Sequence, residues 1–259
     1  MSVNLFGFDC SGTFSILRQS GTQHIEPMVA MQYAMTADVP CLAVALGSLE
    51  GYSVALAQGN VLPVGSVEFL RKAMRLACVD EPGNISYPQS LAGYLKRHIE
   101  LRPAGAVMGH WFIKPTSTKA FTGYVVDTAN PDNLNDYDRI QNNVFLSLTP
   151  ETDVWISEPV VWVSEYRYYV INGQIHGCGR YDDGPDDAPI PNMAVVAEMA
   201  AASDDLPIAY SLDVGVLDTG DTALIECNDA WALGFYKGTL SRKDYIKMLL
   251  ARWQQMFAK

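Results

Sequence analysis

Residues 211–229, SLDVGVLDTGDTALIECND, form the segment that decides the predicted fold. Two short extended stretches flank the Asp, Thr, Gly and Asp residues at 218–221. Glycine and aspartate tolerate the positive backbone angles of tight hairpin turns. The pattern therefore predicts a β-hairpin in which Thr219 and Gly220 are the two loop residues.

One face of this hairpin carries acidic and amide side chains. Asp213 is predicted to lie directly opposite Glu226, with Asn228 on the same face. Carboxylates about 5 Å apart repel each other. Together with an amide carbonyl they suit a hard cation such as Mg²⁺, which also binds phosphate oxygens. The alternative is a surface hairpin with solvated acids. The other face is predicted to be an apolar layer of Val214, Val216, Ala223 and Ile225.

Composition and charge exclude several classes of protein. The chain has 259 residues, 49% of them hydrophobic, and a formal net charge of −11, which argues against broad binding to nucleic acid. The five cysteines and four histidines show no zinc-site spacing, and the odd cysteine number favours reduced thiols in a cytoplasmic protein. No apolar run predicts a membrane partner or an export signal.

The first hundred residues predict a small α/β unit. Extended segments are expected near residues 3–8 and 41–46, and helical spacing of apolar residues covers 25–35. Ser66 is placed to cap a further helix, although its position also allows anion binding by free backbone N–H groups. The sequence Arg-Pro-Ala-Gly at 102–105 marks the first predicted boundary.

The pattern after this boundary is that of β-structure. Residues 106–127 predict a hairpin that carries Lys114 and Lys119 near its tip, where lysines commonly solubilise an exposed edge. Two further strands are predicted at 153–163 and 166–171, followed by an Asn-Gly turn.

Later segments predict helices and no phosphate loop. Asn192 and Ser241 are expected to cap two helices. Gly177 and Gly179 neither follow the Walker spacing nor open a helix, so they do not predict a phosphate loop.

Taken together, residues 107–237 resemble the ATP-grasp superfamily of carboxylate–amine ligases. The Asp, Glu-x-Asn pattern of the hairpin resembles the metal site of that family. Glu158 and Glu165, seven residues apart, resemble its adenine hinge and its ribose-binding glutamate. The lysine-bearing hairpin resembles its flexible lid. PVGSVEF at 63–69 and FIKPTSTKAFTG at 112–123 look closer to a phage and bacterial branch named for one arginine and two lysines.

The resemblance implies an α+β, ATP-grasp fold in which two α/β subdomains grip ATP. A small pre-grasp α/β domain would cover residues 1–104, and the ATP-grasp domain residues 105–259. Within the latter, a lid-like subdomain would span about 107–157 and a metal-binding subdomain about 158–259.

The nucleotide contacts are likewise implied by the resemblance. Glu158 and the backbone near Val160 would bind the adenine edge, and Glu165 the ribose. Lys114 and Lys119 would neutralise phosphates, and Lys119 would also have a catalytic role. The implied ligands of Mg²⁺ are Asp213, Glu226 and Asn228.

The arginine that meets the transferred phosphate is left open between Arg167 and Arg180. A guanidinium binds phosphate oxygens with two hydrogen bonds, although Arg167 in a strand is equally well explained by pairing with a carboxylate. Several family members have an arginine two residues before the metal-binding aspartate, where this chain has Ser211.

The implied activity is an ADP-forming ligation that uses ATP and Mg²⁺ and proceeds through an acyl-phosphate. Its substrates would be a carboxylate and an amine, as small molecules or peptides, and members of the branch are suspected to modify peptides or proteins. One alternative is a kinase-like phosphotransfer. Another is a nucleotide-binding module without turnover, which Ser211 favours. The sequence leaves the two substrates and the oligomeric state open.

Overall fold

The computed structural model describes residues 14–117, 120–130, 133–202 and 204–258. Lys119 and the strand predicted near residues 3–8 lie outside these ranges. The helices are α1 (Glu26–Ala37), α2 (Ser53–Ala57), α3 (Val67–Ala77), α4 (Asp136–Leu146), α5 (Met193–Ala201) and α6 (Arg242–Phe257). The strands are β1 (Ser15–Gln19), β2 (Cys41–Val44), β3 (Val61–Val64), β4 (Ile99–Pro103), β5 (His110–Pro115), β6 (Tyr124–Asp127), β7 (Asp153–Ser157), β8 (Trp162–Ile171), β9 (Gln174–Arg180), β10 (Ala209–Leu217) and β11 (Thr222–Asp229).

The first sheet is parallel, in the order β2-β1-β3, with α1 and α3 in its connections. The prediction that Ser66 caps a helix is confirmed, because its side chain accepts the backbone N–H of Phe69 at the start of α3. The apolar positions of this layer form one hydrophobic core with α6, including Phe69, Tyr245 and Trp253. The N-terminal layer therefore packs against the end of the chain.

The second sheet is antiparallel, in the order β4-β7-β5-β6. It contains the predicted hairpin of β5 and β6, in which His110 pairs with Asp127. The strand predicted at 153–163 ends instead at Ser157, and the chain then crosses to another sheet. Since β4 already belongs to this second sheet, the boundary at residue 104 stays a prediction.

The third sheet is antiparallel, in the order β11-β10-β8-β9. Asn172 and Gly173 form the predicted turn between β8 and β9, with φ angles of 51° and 70°. The caps predicted at Asn192 and Ser241 are confirmed, because their side chains accept N–H groups in the first turns of α5 and α6. The architecture is of the α+β class. Within the described ranges, no helix has both the length and the apolar character that crossing a membrane requires.

Glycine in β9 lets a loop lie directly on the third sheet. A Cβ atom on Gly177 would lie 2.5 Å from the carbonyl oxygen of Thr239. Thr239 is held in turn by a 2.7 Å hydrogen bond from its hydroxyl to the carbonyl of Tyr236. The two glycines that do not predict a phosphate loop thus have a packing role beneath residues 236–240.

We expect Gly177→Ala to lower the free energy of unfolding by about 1–3 kcal/mol, because the contacting atom is backbone and cannot rotate away. Urea unfolding measures the difference. Gly93→Ala is the matched control, since a Cβ atom there meets nothing within 4 Å. Equal stabilities of the two variants would show that the loop does not need the glycine.

Candidate active site

The hairpin at the centre of the site is formed by β10 and β11. Asp213 pairs with Glu226, and Ser211 pairs with Asn228, so the predicted register is confirmed. Because side chains alternate between the faces of a strand, the two carboxylates and the amide share one face of the sheet. β8 on the other side of β10 adds Arg167, which pairs with Asp213.

The turn of this hairpin differs from the two-residue loop of the prediction. The N–H of Leu217 donates to the carbonyl of Asp221 at 2.9 Å, so the loop consists of the three residues 218–220. Gly220 takes a φ of 87°, the left-handed conformation that glycine adopts at no steric cost. A loop of this length would shift the strands by one residue.

A β-bulge restores the register. Val214 pairs with Leu224, whereas Asp213 pairs with Glu226, so Ile225 is the extra residue. The predicted apolar layer was therefore wrong in part, because the bulge exchanges the faces of β11 residues between it and the turn. The residues that pack under the hairpin are Leu212, Val214, Leu224 and Cys227.

A buried arginine holds the bulge in place. Arg97 donates to the carbonyls of Leu224 at 2.8 Å and Ile225 at 2.9 Å. Its guanidinium also lies 5.2 Å from the ring centre of Trp162. Burial lowers the pKa of Arg97. These contacts satisfy the carbonyls that the bulge removes from the ladder, so Arg97 positions the carboxylate end of the hairpin.

Asp213 is the most buried charge of the site, with 2% of its side chain exposed. Arg167 donates to its two oxygens, from Nε at 2.7 Å and from a terminal nitrogen at 2.5 Å. The amide nitrogen of Asn228 donates to Asp213 at 3.1 Å and to Glu226 at 3.0 Å. The three predicted metal ligands are therefore in mutual contact.

Lys114 reaches this cluster from the second sheet. Its ammonium forms an ion pair with Glu226 and donates to the hydroxyl of Ser86 at 2.9 Å. Ser86 is itself tied to β11, because its carbonyl accepts the N–H of Cys227. Burial lowers the pKa of Lys114 to about 8, although the charge of Asp213 opposes this change. Lys114 thus joins the second and third sheets at the carboxylates.

Of the two candidate arginines, the structure brings only Arg167 to the cluster. Arg180 pairs with Tyr166, whereas Arg167 pairs with Gly179, so the two guanidinium groups leave opposite faces of the sheet. Arg180 instead makes two hydrogen bonds to Asp182, which hold the pKa of that carboxyl well below its usual range. Arg180 therefore fixes the loop after β9.

Two tyrosines cover Arg167. The rings of Tyr181 and Tyr236 are stacked with centroids 6.3 Å apart, and the guanidinium lies 5.7 Å and 5.0 Å from their respective centroids. Glu165 lies on the same face of β8, and burial raises the pKa of its carboxyl. Its backbone N–H donates to Asp182. Glu165 is thus on the carboxylate face of the sheet, two residues from Arg167.

Residues 158–161 connect β7 to β8 and so link the two antiparallel sheets. Glu158 is fixed by His98, whose N–H donates to its carboxylate at 3.1 Å and whose carbonyl accepts its N–H at 3.3 Å. No described residue forms a hydrogen bond with the backbone of Val160. That backbone can therefore bind the edge of a planar ligand, as predicted for adenine.

The side chains fit a magnesium ion. Two facing carboxylates and an amide offer the oxygen ligands that Mg²⁺ prefers. Presenting its oxygen would require the Asn228 side-chain amide to turn over, because its nitrogen now faces both acids. Among the described residues, no group of three His, Cys, Asp or Glu side chains gathers elsewhere as a rival metal site.

Sequence reasoning missed four residues that shape the site. Ser86 and Arg97 come from a segment with no motif, and their roles depend on contacts across the fold. A tyrosine beside the arginine candidates was a usable signal for Tyr181, whereas Tyr236 lies in a loop. Lys119 lies outside the described residues.

Solved structures share this fold at low sequence identity. D-alanine–D-alanine ligase from Bacillus anthracis in complex with ATP is 13% identical, with a TM-score of 0.54 over 95% of this chain and 96% of that one. The ATP-grasp ligase PsnB with a minimal precursor is 13% identical, with a TM-score of 0.53 over 93% and 99% of the two chains. The D-cycloserine synthetase DcsG is 14% identical, with a TM-score of 0.52 over 93% and 100%.

The sequence comparisons give the family. No curated protein matches this sequence. A family model described as an ATP-grasp domain, the second family of its clade, matches residues 94–248, which is more than half of the chain. Together with the structural neighbours, this match confirms the ATP-grasp fold that the hairpin, the paired glutamates and the lysine-bearing strand predict. The chain belongs to this family of ATP-grasp domains.

Proposed function

We propose that this protein is an ADP-forming ligase that uses ATP and Mg²⁺ to join a carboxylate to an amine through an acyl-phosphate. The observation that carries the proposal is the convergence of charges from two sheets. Lys114 of β5 and Arg167 of β8 meet at Asp213 and Glu226 of the hairpin. Phosphoryl transfer requires such neutralisation more than it requires a protein nucleophile.

The residues divide between metal and nucleotide. Asp213, Glu226 and Asn228 would hold Mg²⁺, which when bound would neutralise phosphate oxygens and lower their repulsion of an incoming carboxylate. The connection at residues 158–161 would bind the adenine, with Glu165 at the ribose. The first layer, to about residue 104, would close the substrate side of the cleft.

The ion pairs of the structure suggest how the site receives ATP. Arg167 and Lys114 are each paired with an acid, so the cluster is neutral and the buried charges are compensated. On binding, phosphate oxygens would take the guanidinium and the ammonium, and the two carboxylates would become available to the cation. The same four side chains then serve the empty and the loaded site.

The reaction follows from this arrangement. An oxygen of the substrate carboxylate attacks the γ-phosphorus, the bond between that phosphorus and the bridging oxygen breaks, and ADP leaves. The amine nitrogen then attacks the acyl carbon, releasing phosphate and a proton. Arg167 and Lys114 would bind the transferred group throughout. A peptide or protein as one substrate fits the resemblance to the phage and bacterial branch.

Thermal unfolding with and without Mg–ATP tests the nucleotide site. The wild-type protein is expected to gain stability only when both ATP and Mg²⁺ are present, because a ligand that binds only the folded state raises its stability. Glu226→Gln should lose at least half of the shift. Glu50→Gln, at an exposed glutamate paired with Lys72, is the matched control and should keep it. A wild-type protein without a shift at saturating Mg–ATP would refute the proposal.

The product separates ligation from its rivals. An amide-linked product formed together with ADP supports the ligase, whereas a stable phosphorylated product would identify a kinase-like enzyme. Binding of Mg–ATP without ADP formation in any substrate mixture would identify a nucleotide-binding module.

A further inference from the structure

A cavity lies between the first layer and the end of the chain, next to the candidate active site. Its walls come from β3 and the first turn of α3 on one side, and from residues 230–234 and α6 on the other. We call it the interlayer cavity. Apolar side chains form most of the wall, including Leu62, Leu70, Met74, Trp231, Trp253 and Met256. Such a wall binds a bulky apolar group.

Two hydrogen-bond donors in this wall have no acceptor. Trp253 is only 4% exposed, and its indole N–H has no partner among the described residues. The backbone N–H of Val67, the first residue of α3, likewise donates to no described residue. Buried donors are rarely left unsatisfied, because they lose their hydrogen bonds to water. A ligand oxygen in the cavity would supply the missing acceptor.

The first turn of α3 is held in position before any ligand binds. The side-chain oxygen of Gln19 accepts the N–H of Ser66 at 2.7 Å. A Cβ atom on Gly65 would lie 2.6 Å from that same oxygen, so only glycine permits this approach. The turn therefore presents the Val67 N–H from a fixed loop.

Charge favours a neutral acceptor over an anion. Glu26 is the acidic residue in the cavity wall, and one of its oxygens accepts the N–H of Phe235 at 3.0 Å. Its negative charge would repel a free carboxylate, although the helix terminus alone would attract one. A peptide carbonyl avoids the repulsion and still accepts hydrogen bonds from Trp253 and Val67.

We propose that the interlayer cavity binds a bulky apolar residue of a peptide substrate, whose carbonyl oxygen accepts hydrogen bonds from Trp253 and Val67. The proposal rests on the proposed ligase function for its role in catalysis. Ala230, in the cavity wall, follows Asn228 by two residues on the same chain segment. A residue seated in the cavity would therefore place its neighbour in the peptide at the metal-binding side chains.

Three small probes test the chemistry by ligand-observed NMR titration. N-acetyl-L-phenylalaninamide, which is neutral and apolar, should bind most tightly. N-acetyl-L-phenylalanine adds a carboxylate and should bind more weakly, and N-acetylglycinamide lacks the ring and should bind weakest. Tighter binding of the carboxylate probe, or equal binding of all three, would overturn the proposal.

Variants test the position. Trp253→Phe removes the indole N–H and should weaken binding of N-acetyl-L-phenylalaninamide about tenfold, the effect of one hydrogen bond. Trp155→Phe is the matched control, because its buried indole N–H is also unpartnered but lies in β7, outside the cavity wall. Val67→Pro, tolerated at the first helical position, removes the second donor and should also weaken binding. Equal affinities of the Trp253 and Trp155 variants would overturn the assignment.

The Mg–ATP thermal shift separates this proposal from the ligase function. Trp253→Phe should keep the shift while it loses probe affinity. Probe binding in a protein that shows no Mg–ATP shift would leave the cavity assignment standing and refute the ligase. A full Mg–ATP shift without probe binding would overturn the cavity assignment alone.

Discussion

Asp213→Asn is expected to lower the free energy of unfolding by about 3 kcal/mol, the cost of breaking a buried ion pair by removing one partner. Asp213 is 2% exposed, and the Arg167 side chain that it pairs with is 11% exposed. The substitution leaves the guanidinium charged and buried, with only a neutral amide beside it. Urea unfolding at neutral pH measures the change.

The control is another aspartate of the same hairpin. Asp221→Asn changes an exposed turn residue whose carboxylate accepts only the hydroxyl of Thr219. That variant should stay within about 0.5 kcal/mol of the wild-type protein. If the two variants were equally stable, the pairing of Asp213 with Arg167 would contribute nothing to the fold.

Lys114→Met is expected to weaken binding of Mg–ATP about 100-fold, because a charge-assisted hydrogen bond to phosphate is lost and nothing described replaces it. Methionine keeps the length and the apolar stem of the side chain. It also removes the ion pair that joins β5 to Glu226. Isothermal titration calorimetry measures the affinity directly.

Lys72→Met provides the matched control for this loss of charge. Lys72 pairs with the exposed Glu50 in the first layer, away from the hairpin. Its loss should leave the affinity for Mg–ATP unchanged. Similar losses in both variants would mean that Lys114 acts only through the net charge of the protein.

The sequence predicted the centre of the site for a reason that was only partly right. The register of Asp213 and Glu226 follows from a two-residue turn, yet the turn has three residues and Ile225 forms a bulge. The two differences cancel. Neither is visible locally, because the bulge is stabilised by Arg97, more than a hundred residues earlier in the chain.

The choice between Arg167 and Arg180 could not be made from the sequence. Both lie in strands near the acids, and the answer depends on which face of the sheet each side chain leaves. That face is set by the pairing of β8 with β9, which places Gly179 opposite Arg167. Helix starts were easier, because a cap such as Ser66 or Ser241 acts within one turn of its own residue.

The bulge at Ile225 divides the hairpin into two parts that are specified separately. On the carboxylate side, strand pairing with β8 and the hydrogen bonds of Arg97 set the positions of the side chains. On the turn side, only the pairing of the two strands sets the length of the loop. The chemistry of this hairpin is thereby insulated from its tip, which is free to vary in sequence while the distance between the acids stays fixed.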